Sequence, residues 1–580
     1  MSGADRIAVP TADEATDGPP DSPRPSPTAT ARRDRRARGS ARWGTGTVAH
    51  DMTARQIEGE HATLVDVLRA AARVNADVEA YVEPAVADRP RRTLTFAEWD
   101  RGADGVAGLL TTHGVGPGTV VCLLLPSSID YMVCYAAVAR LGAITSGINL
   151  RLGVPEVTSI VERTRPVVTI VDDGLEPPSG PTGAVLARAR CLAAVDGPPP
   201  PAWPDLHPSD PVAVVWTSGT TGLPKGAVFD HDNLRAVAEG TDVLSEAGDR
   251  RLSPLPFAHV GSMTRIWDEA ANGVTTVITP TPWRAADAVA VMAAERITVA
   301  QGVPTQWALV LARPELADAD LTSLRIAGTG ASRVPAELVA AMRQALGVPV
   351  VVRYTSTEAS LGTGTVPGDP DEAVATSVGR PVPGVALIVA DDDGSPVPAG
   401  EVGRVRLRSA AVMRGYWGGP LTGPGAAGLV VDRPATDAVL AADGWLTTGD
   451  FGYLDDDGRL HLVGRANELY IRGGYNVYPA EVEGALGDFP GIDQIAVVGL
   501  PDPVLGEVGV AFVVPAPGVE PDADGLLAGL REAVRATLAD YKAPDRVVVL
   551  DRLPLTSMMK VDKRALADQA PRDTNGAHAR

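Results

Sequence analysis

The sequence predicts an α/β protein: a large N-terminal domain of layered α/β subdomains plus a small β-barrel, followed by a small α+β C-terminal domain. Three observations lead there. Runs such as TVVCLLLP (119–126) and PVAVVW (211–216) are continuously apolar, as strands buried on both faces of a parallel sheet are. Helical patterns separate such runs at short intervals, the mark of stacked strand–helix units. From about residue 376 the texture changes to Gly-bounded β segments, VALIVADDDGSPV, GRVRLRSA and GRLHLVGR, which suggest a barrel or sandwich. A chain of 580 residues also exceeds what one hydrophobic core can organise.

The elements come in this order. HATLVDVLRAAARV (61–74) sets Leu64, Val67, Leu68 and Ala71 at helical spacing. TLTFAEWDRGADGVAGLLTTHGV (93–115) reads as a short strand and then a helix. The strand near 120–125 leads into the helix IDYMVCYAAVARLGAIT and the strand PVVTIVDD. A proline-rich connector, residues 196–211, precedes the strand PVAVVW, and further α/β units run through Tyr354. A compact unit from Asn467 to about Ala567 holds the strands QIAVVGL and GVAFVVPA and the helix GLLAGLREAVRATLADY. The expected organisation is a disordered tail (1–55), an N-terminal domain (56–466), a C-terminal domain (467–567) and a frayed end (568–580). The tail turns basic in ATARRDRRARGSARWG, which leaves a nucleic-acid arm or targeting segment as the competing reading, and Met52 as an alternative start. It lacks the apolar core of a secretory signal.

Composition excludes several functions. A formal charge of −20 repels phosphate backbones, so nucleic acid is not an expected partner. The three cysteines, Cys122, Cys134 and Cys191, have no metal-ligand spacing and suit a reducing cytoplasm. No apolar run is long enough to span a membrane.

The stretch TSGTTGLPKG (217–226) carries the chemistry. A strand running into a Gly/Ser/Thr turn exposes successive backbone N–H groups, which with hydroxyl donors cradle phosphate oxygens. Glycine is needed there because a Cβ would block close approach. Thr217, Ser218, Gly219, Thr220, Thr221 and Gly222 are the candidate cradle, and Lys225 adds a mobile cation. The spacing is not that of a Walker A loop, in which two glycines stand five apart before Lys-Ser/Thr.

This stretch resembles the phosphate-loop signature of the adenylate-forming superfamily, which includes acyl-CoA synthetases, nonribosomal adenylation domains and luciferases. Further segments resemble that family's motifs in order: PLPFAHVGSM (254–263), GTGAS (328–332), RYTSTEAS (353–360), GWLTTGDFGYLDDDGRLHLVGR (444–465), RGGYNVYPAEVE (472–483) and PLTSMMKVDKRAL (554–566). The resemblance is closest to stand-alone acyl-CoA ligases. It implies an AMP-forming acid:CoA ligase, with ATP, Mg²⁺ and CoA as cofactor and co-substrates, a small-molecule acid as substrate, and a setting in secondary metabolism as a cytoplasmic monomer or homodimer.

The resemblance also assigns roles. Lys560 matches the adenylation lysine that bridges the substrate carboxylate and ATP oxygens. Glu358 would hold Mg²⁺, and Thr357 would donate to the α-phosphate. Tyr354 would stack on adenine, with Gly330 and Ala331 lining the base. Asp450 would accept from the ribose hydroxyls, and Arg465 would reach ribose or phosphate. Asn467 occupies the hinge about which a mobile C-terminal domain turns between the two half-reactions. His259, Val260, Arg265, Trp267 and Thr355 would border the acyl group. A tryptophan there favours a short or aromatic acid. Arg265 could instead pair with Asp268 or Glu269. The chain departs from the family pattern at Thr355 and Met559, where glycines are usual. Two alternatives therefore stand: transfer of the acyl-AMP to a carrier protein, and ATP-dependent diazotisation of an aryl amine with nitrite.

Overall fold

The computed structural model describes residues 54–86, 89–217, 223–331, 334–419, 430–466, 468–519, 523–556 and 560–570. Expectations for Ser218, Gly219, Thr220, Thr221, Gly222, Asn467, Met559 and nearly all of the N-terminal tail lie outside these residues.

The first helix, Leu64–Val74, starts where the sequence supplies a reciprocal cap: the Thr63 hydroxyl accepts from Asp66 N, and the Asp66 carboxylate accepts from Thr63 N. Thr95 and Glu98 repeat the device for the helix Phe96–Thr111. Leu64, Val67, Leu68 and Ala71 are buried, as their spacing requires. The helix Ile129–Arg140 is buried along its whole length, and so is the strand Val120–Leu124 before it.

Two large sheets form the body. One has seven strands in the order Gly415–Tyr416, Gly226–Asp230, Pro211–Trp216, Ile144–Gly147, Val120–Leu124, Val168–Val171 and Ala184–Ala187. Its pairings are parallel except at the first two, where the hairpin Pro211–Trp216/Gly226–Asp230 and the strand Gly415–Tyr416 run antiparallel. The other has nine strands, with Glu79–Glu83, Thr275–Ile278, Arg250–Ser253, Val299–Gly302, Ile326–Gly330 and Val350–Tyr354 paired in parallel. The continuously apolar runs are the central strands, as expected for strands covered on both faces.

The Gly-bounded segments form an antiparallel sheet in the order Ala386–Ala390, Gly403–Arg408, Leu446–Leu454, Leu460–Arg465. Among the described residues these strands pair in that single order, where the sequence suggested a barrel or sandwich. The outer strand bonds elsewhere: Val378 N donates to Leu460 O (2.9 Å), and Leu460 N donates to Gly379 O (2.9 Å), which joins this sheet to the rim of the nine-stranded one. Beyond it, Tyr475–Val477, Tyr470–Arg472, Gly506–Pro515 and Ile492–Asp502 form a further sheet, and Arg546–Val549 pairs in parallel with Gly506–Pro515. The helices Pro479–Ala485 and Ala523–Thr537 pack on it around their own apolar cluster, with Val482, Leu530 and Val534 buried. No described helix is long and apolar enough to cross a membrane.

Candidate active site

The phosphate-loop candidate leaves the end of one buried strand and returns along the next. Its mouth is tied shut: Thr217 N donates to Lys225 O (2.8 Å), and Lys225 N donates to Thr217 Oγ1 (3.1 Å). Gly226 comes next because a Cβ there would stand 2.5 Å from Val214 Cγ1. The exposed Lys225 side chain extends over the ring of Tyr416, its ammonium 5.2 Å from the ring centroid.

Two neighbouring strand ends carry the base-binding candidates. Gly330 closes Ile326–Gly330, where an added Cβ would lie 2.2 Å from Arg353 O, so only glycine lets the two strands approach this closely. Ala331 adopts a left-handed φ of 66° and turns the chain away. Tyr354 ends the adjacent strand, buried, with its hydroxyl donating to Asp450 Oδ2 (2.5 Å). The chain then makes a tight turn: Ser360 N donates to Ser356 O (2.9 Å), and Ser360 has φ 58°. This turn presents Thr355, Thr357 and Glu358, all half-buried. Tyr416 donates its hydroxyl to Glu358 Oε1 (2.7 Å).

Asp450 is buried on the strand Leu446–Leu454. Its second oxygen accepts from Arg465 Nε (3.1 Å), on the strand paired beside it. Each carboxylate oxygen has two lone pairs, so both retain capacity for a further donor. Lys560 comes from the C-terminal part of the chain yet lies in the field of Asp450 and Arg465. Burial first, and then the Arg465 charge, push its ammonium down to about 8, against the pull of Asp450. His259 feels the same lysine: burial and the Lys560 charge hold its imidazole down to about 3, so it is neutral at physiological pH. Its Nδ1 accepts from Gly261 N (3.2 Å) and caps the short helix Val260–Met263.

The acyl-pocket candidates divide. Val260 is buried, and its carbonyl accepts from Thr264 Oγ1 (2.7 Å). Thr264 Oγ1 in turn accepts from Ser360 Oγ (3.2 Å), which fastens this segment to the turn bearing Glu358. Trp267 is 5% exposed within the main apolar core. Arg265 takes the competing option: it donates to Asp268 Oδ2 through Nη2 (2.7 Å) and Nε (3.0 Å), buried. A guanidinium this committed is a structural cation rather than a free reader of substrate.

Sequence reasoning missed two groups. Tyr416 touches both Lys225 and Glu358 but lies far from each along the chain, so no local pattern marks it. Arg251, which also donates to Asp268 Oδ2 (2.8 Å), sits in an ordinary strand.

A carboxylate from Glu358 suits a hard oxygen-loving cation. No partner for its Oε2 is found among the described residues, and no cluster of three or more metal-ligating side chains is found among them either. A carboxylate oxygen is a donor that Mg²⁺ would accept at this place.

Comparison with known proteins gives these residues a family. The AMP-binding enzyme model matches residues 68–417, and the AMP-binding enzyme C-terminal domain model matches residues 481–560. The indoleacetate–CoA ligase of Aromatoleum aromaticum is 35% identical over 503 residues, covering 84% of this chain and 95% of that protein. The feruloyl-CoA synthase of an Amycolatopsis species is 35% identical over 481 residues, covering 81% and 92%. An anthranilate CoA ligase solved in complex with anthranoyl-AMP superposes with a TM-score of 0.77 at 26% identity, covering 88% of this chain and 98% of that one. With both family models matched in order along the chain, the chain belongs to the AMP-binding enzyme family, the adenylate-forming enzymes, and lies close to the acyl-CoA ligases.

Proposed function

We propose that the chain activates a small or aromatic carboxylic acid with ATP and passes the acyl group to the thiol of CoA. In the first half-reaction a carboxylate oxygen attacks the α-phosphorus, the bond to the bridging oxygen breaks, and pyrophosphate leaves. In the second, the thiol attacks the acyl carbon and AMP departs. Both partners of the first step are anions, so catalysis rests on neutralising charge and fixing an in-line geometry.

The observation that carries this reading is the convergence of Lys560 with Asp450, Arg465 and His259, drawn from distant parts of the chain. In that arrangement Thr217, Ser218, Gly219, Thr220, Thr221, Gly222 and Lys225 hold the phosphates. Tyr354, Gly330 and Ala331 flank the base, and Asp450 receives the ribose. Lys560 bridges the reacting anions, with Thr357 beside the α-phosphate. Mg²⁺ held by Glu358 supplies Lewis-acid neutralisation of the phosphates. Lys560 must withdraw before a thiol can enter, which assigns Asn467 the hinge between domains spanning 56–466 and 467–567. The relatives named above act on indoleacetate, ferulate and anthranilate, which supports an aromatic acid.

The test is pyrophosphate release from ATP over a panel of aromatic and short-chain acids, with and without CoA, and over nitrite with aryl amines. Acid-dependent release with CoA-dependent thioester formation is expected. AMP formation that requires nitrite and an amine, and ignores both acids and CoA, would replace this reading. A pH profile gives a second check. Lys560 must be protonated to act, and its pKa is depressed to about 8, so kcat/KM for ATP should hold below that value and fall about tenfold per pH unit above it. A profile flat to pH 10 would remove Lys560 from the role.

A further inference from the structure

The segment Met413–Trp417 carries no chemistry assigned so far, yet it touches both charged groups that flank the phosphate-binding loop. Met413 N donates to Glu358 O (2.8 Å), fixing the backbone of the turn. Tyr416 donates to the Glu358 carboxylate (2.7 Å) and lies under the Lys225 ammonium. Gly415 and Tyr416 pair with Val228 and Ala227, directly after the loop, and Trp417 N donates to Gly226 O (2.7 Å). Arg163 pins the same corner, donating to Pro224 O (2.6 Å) and Trp417 O (3.2 Å). Tyr416 is itself held from behind, its N donating to Thr436 Oγ1 (3.0 Å) and its carbonyl accepting from Asp432 N (2.8 Å).

The geometry points to Tyr416 as a positioning residue that sets Lys225 and Glu358 at a fixed separation and orients the Glu358 carboxylate for a magnesium–nucleotide. The inference rests on the ligase reading and deepens it. The phenol occupies Oε1 and leaves Oε2 for a cation, while the ring face offers the ammonium a negative quadrupole. One side chain thereby couples the two ends of a polyphosphate site: the cation of the loop and the acid of the metal.

The experiment separates the hydroxyl from the ring. Binding of α,β-methylene-ATP, which cannot be cleaved at the reacting bond, is measured by calorimetry across a Mg²⁺ titration for the wild type, Tyr416→Phe and Tyr416→Leu. Removing a group that orients a metal-ligating carboxylate typically weakens metal affinity about 10–100-fold. Tyr416→Phe should therefore raise the Mg²⁺ half-saturation at least about tenfold while metal-free nucleotide affinity stays within about twofold, because the ring remains. Tyr416→Leu should weaken both. Thermal midpoints matched to the wild type show that the fold is intact. An unchanged Mg²⁺ half-saturation in Tyr416→Phe, or an equal loss with and without Mg²⁺, overturns the inference alone. A wild type that binds no analogue at any Mg²⁺ concentration overturns the ligase reading and this inference together.

Discussion

Replacing Lys560 with alanine is expected to lower acid adenylation about 10²–10³-fold, the usual cost of removing one group that stabilises transition-state charge. Thioester formation from supplied acyl-AMP should survive. The asymmetry arises from the surroundings of the residue. Its ammonium is half-buried, faces the repulsion of Arg465 and is drawn by Asp450, so it sits in a field tuned for an incoming anion rather than in a resting ion pair. In the second half-reaction pyrophosphate has gone and the reacting centre is an acyl carbon, so the same cation has little left to neutralise. Isotope exchange between pyrophosphate and ATP reads the first step, and thiol consumption from synthetic acyl-AMP reads the second. Equal loss of both would contradict the assignment.

The largest expected effect on stability lies elsewhere. Asp268 is fully buried and accepts from Arg251 and Arg265, with Asn272 Nδ2 (3.0 Å) and Thr241 Oγ1 (3.3 Å) on its other oxygen. Glu269 beside it takes Tyr81 Oη (2.5 Å) and Thr276 Oγ1 (2.9 Å), so two buried acids balance two buried arginines. Asp268→Ala takes the shared acceptor from Arg251 and Arg265 and leaves two buried arginines facing one buried acid, and breaking a buried pair in this way typically costs about 3–5 kcal/mol. Chemical denaturation should show that loss, and a loss below about 1 kcal/mol would mean that the cluster contributes little. The two arginines hold the Asp268 carboxyl well below its ordinary range. A depressed carboxylate contributes stability that is complete above its unfolded pKa, about 4, and is lost as pH falls through the folded value. The wild type should therefore lose stability below about pH 4, and Asp268→Ala should lose less over the same interval.

The two substitutions mark how far the sequence could be read. Period and continuity are local properties, so the buried strand Val120–Leu124 and the capped helix Leu64–Val74 were legible directly. The reason for glycine at 226 and 330 was not legible, because a Cβ there would meet Val214 and Arg353, neighbours that only the folded sheets supply. Charged partnerships were not either, because they form across sheets. Arg265 could be placed near an acid by helical spacing, but Arg251 reaches the same carboxylate from a separate strand. Tyr416 meets Glu358 only because the strand Gly415–Tyr416 closes the edge of the seven-stranded sheet. The bonds from Leu460 to Val378 and Gly379, which join the sheet after residue 376 to its neighbour, are likewise invisible to local pattern.

That junction has a mechanical consequence. Leu460 is welded to the rim of the large sheet, and Ala466 N donates to Gly449 O (2.8 Å), so the chain is anchored up to the residue before Asn467. The proposed swing of the C-terminal strands and helices would then have to take its rotation after Ala466, the last residue tied back to this sheet by its backbone N–H. If that rotation links the two half-reactions, firm anchorage on the near side would leave the far side as the moving body, and loosening the Leu460 junction would blur the switch rather than abolish either step.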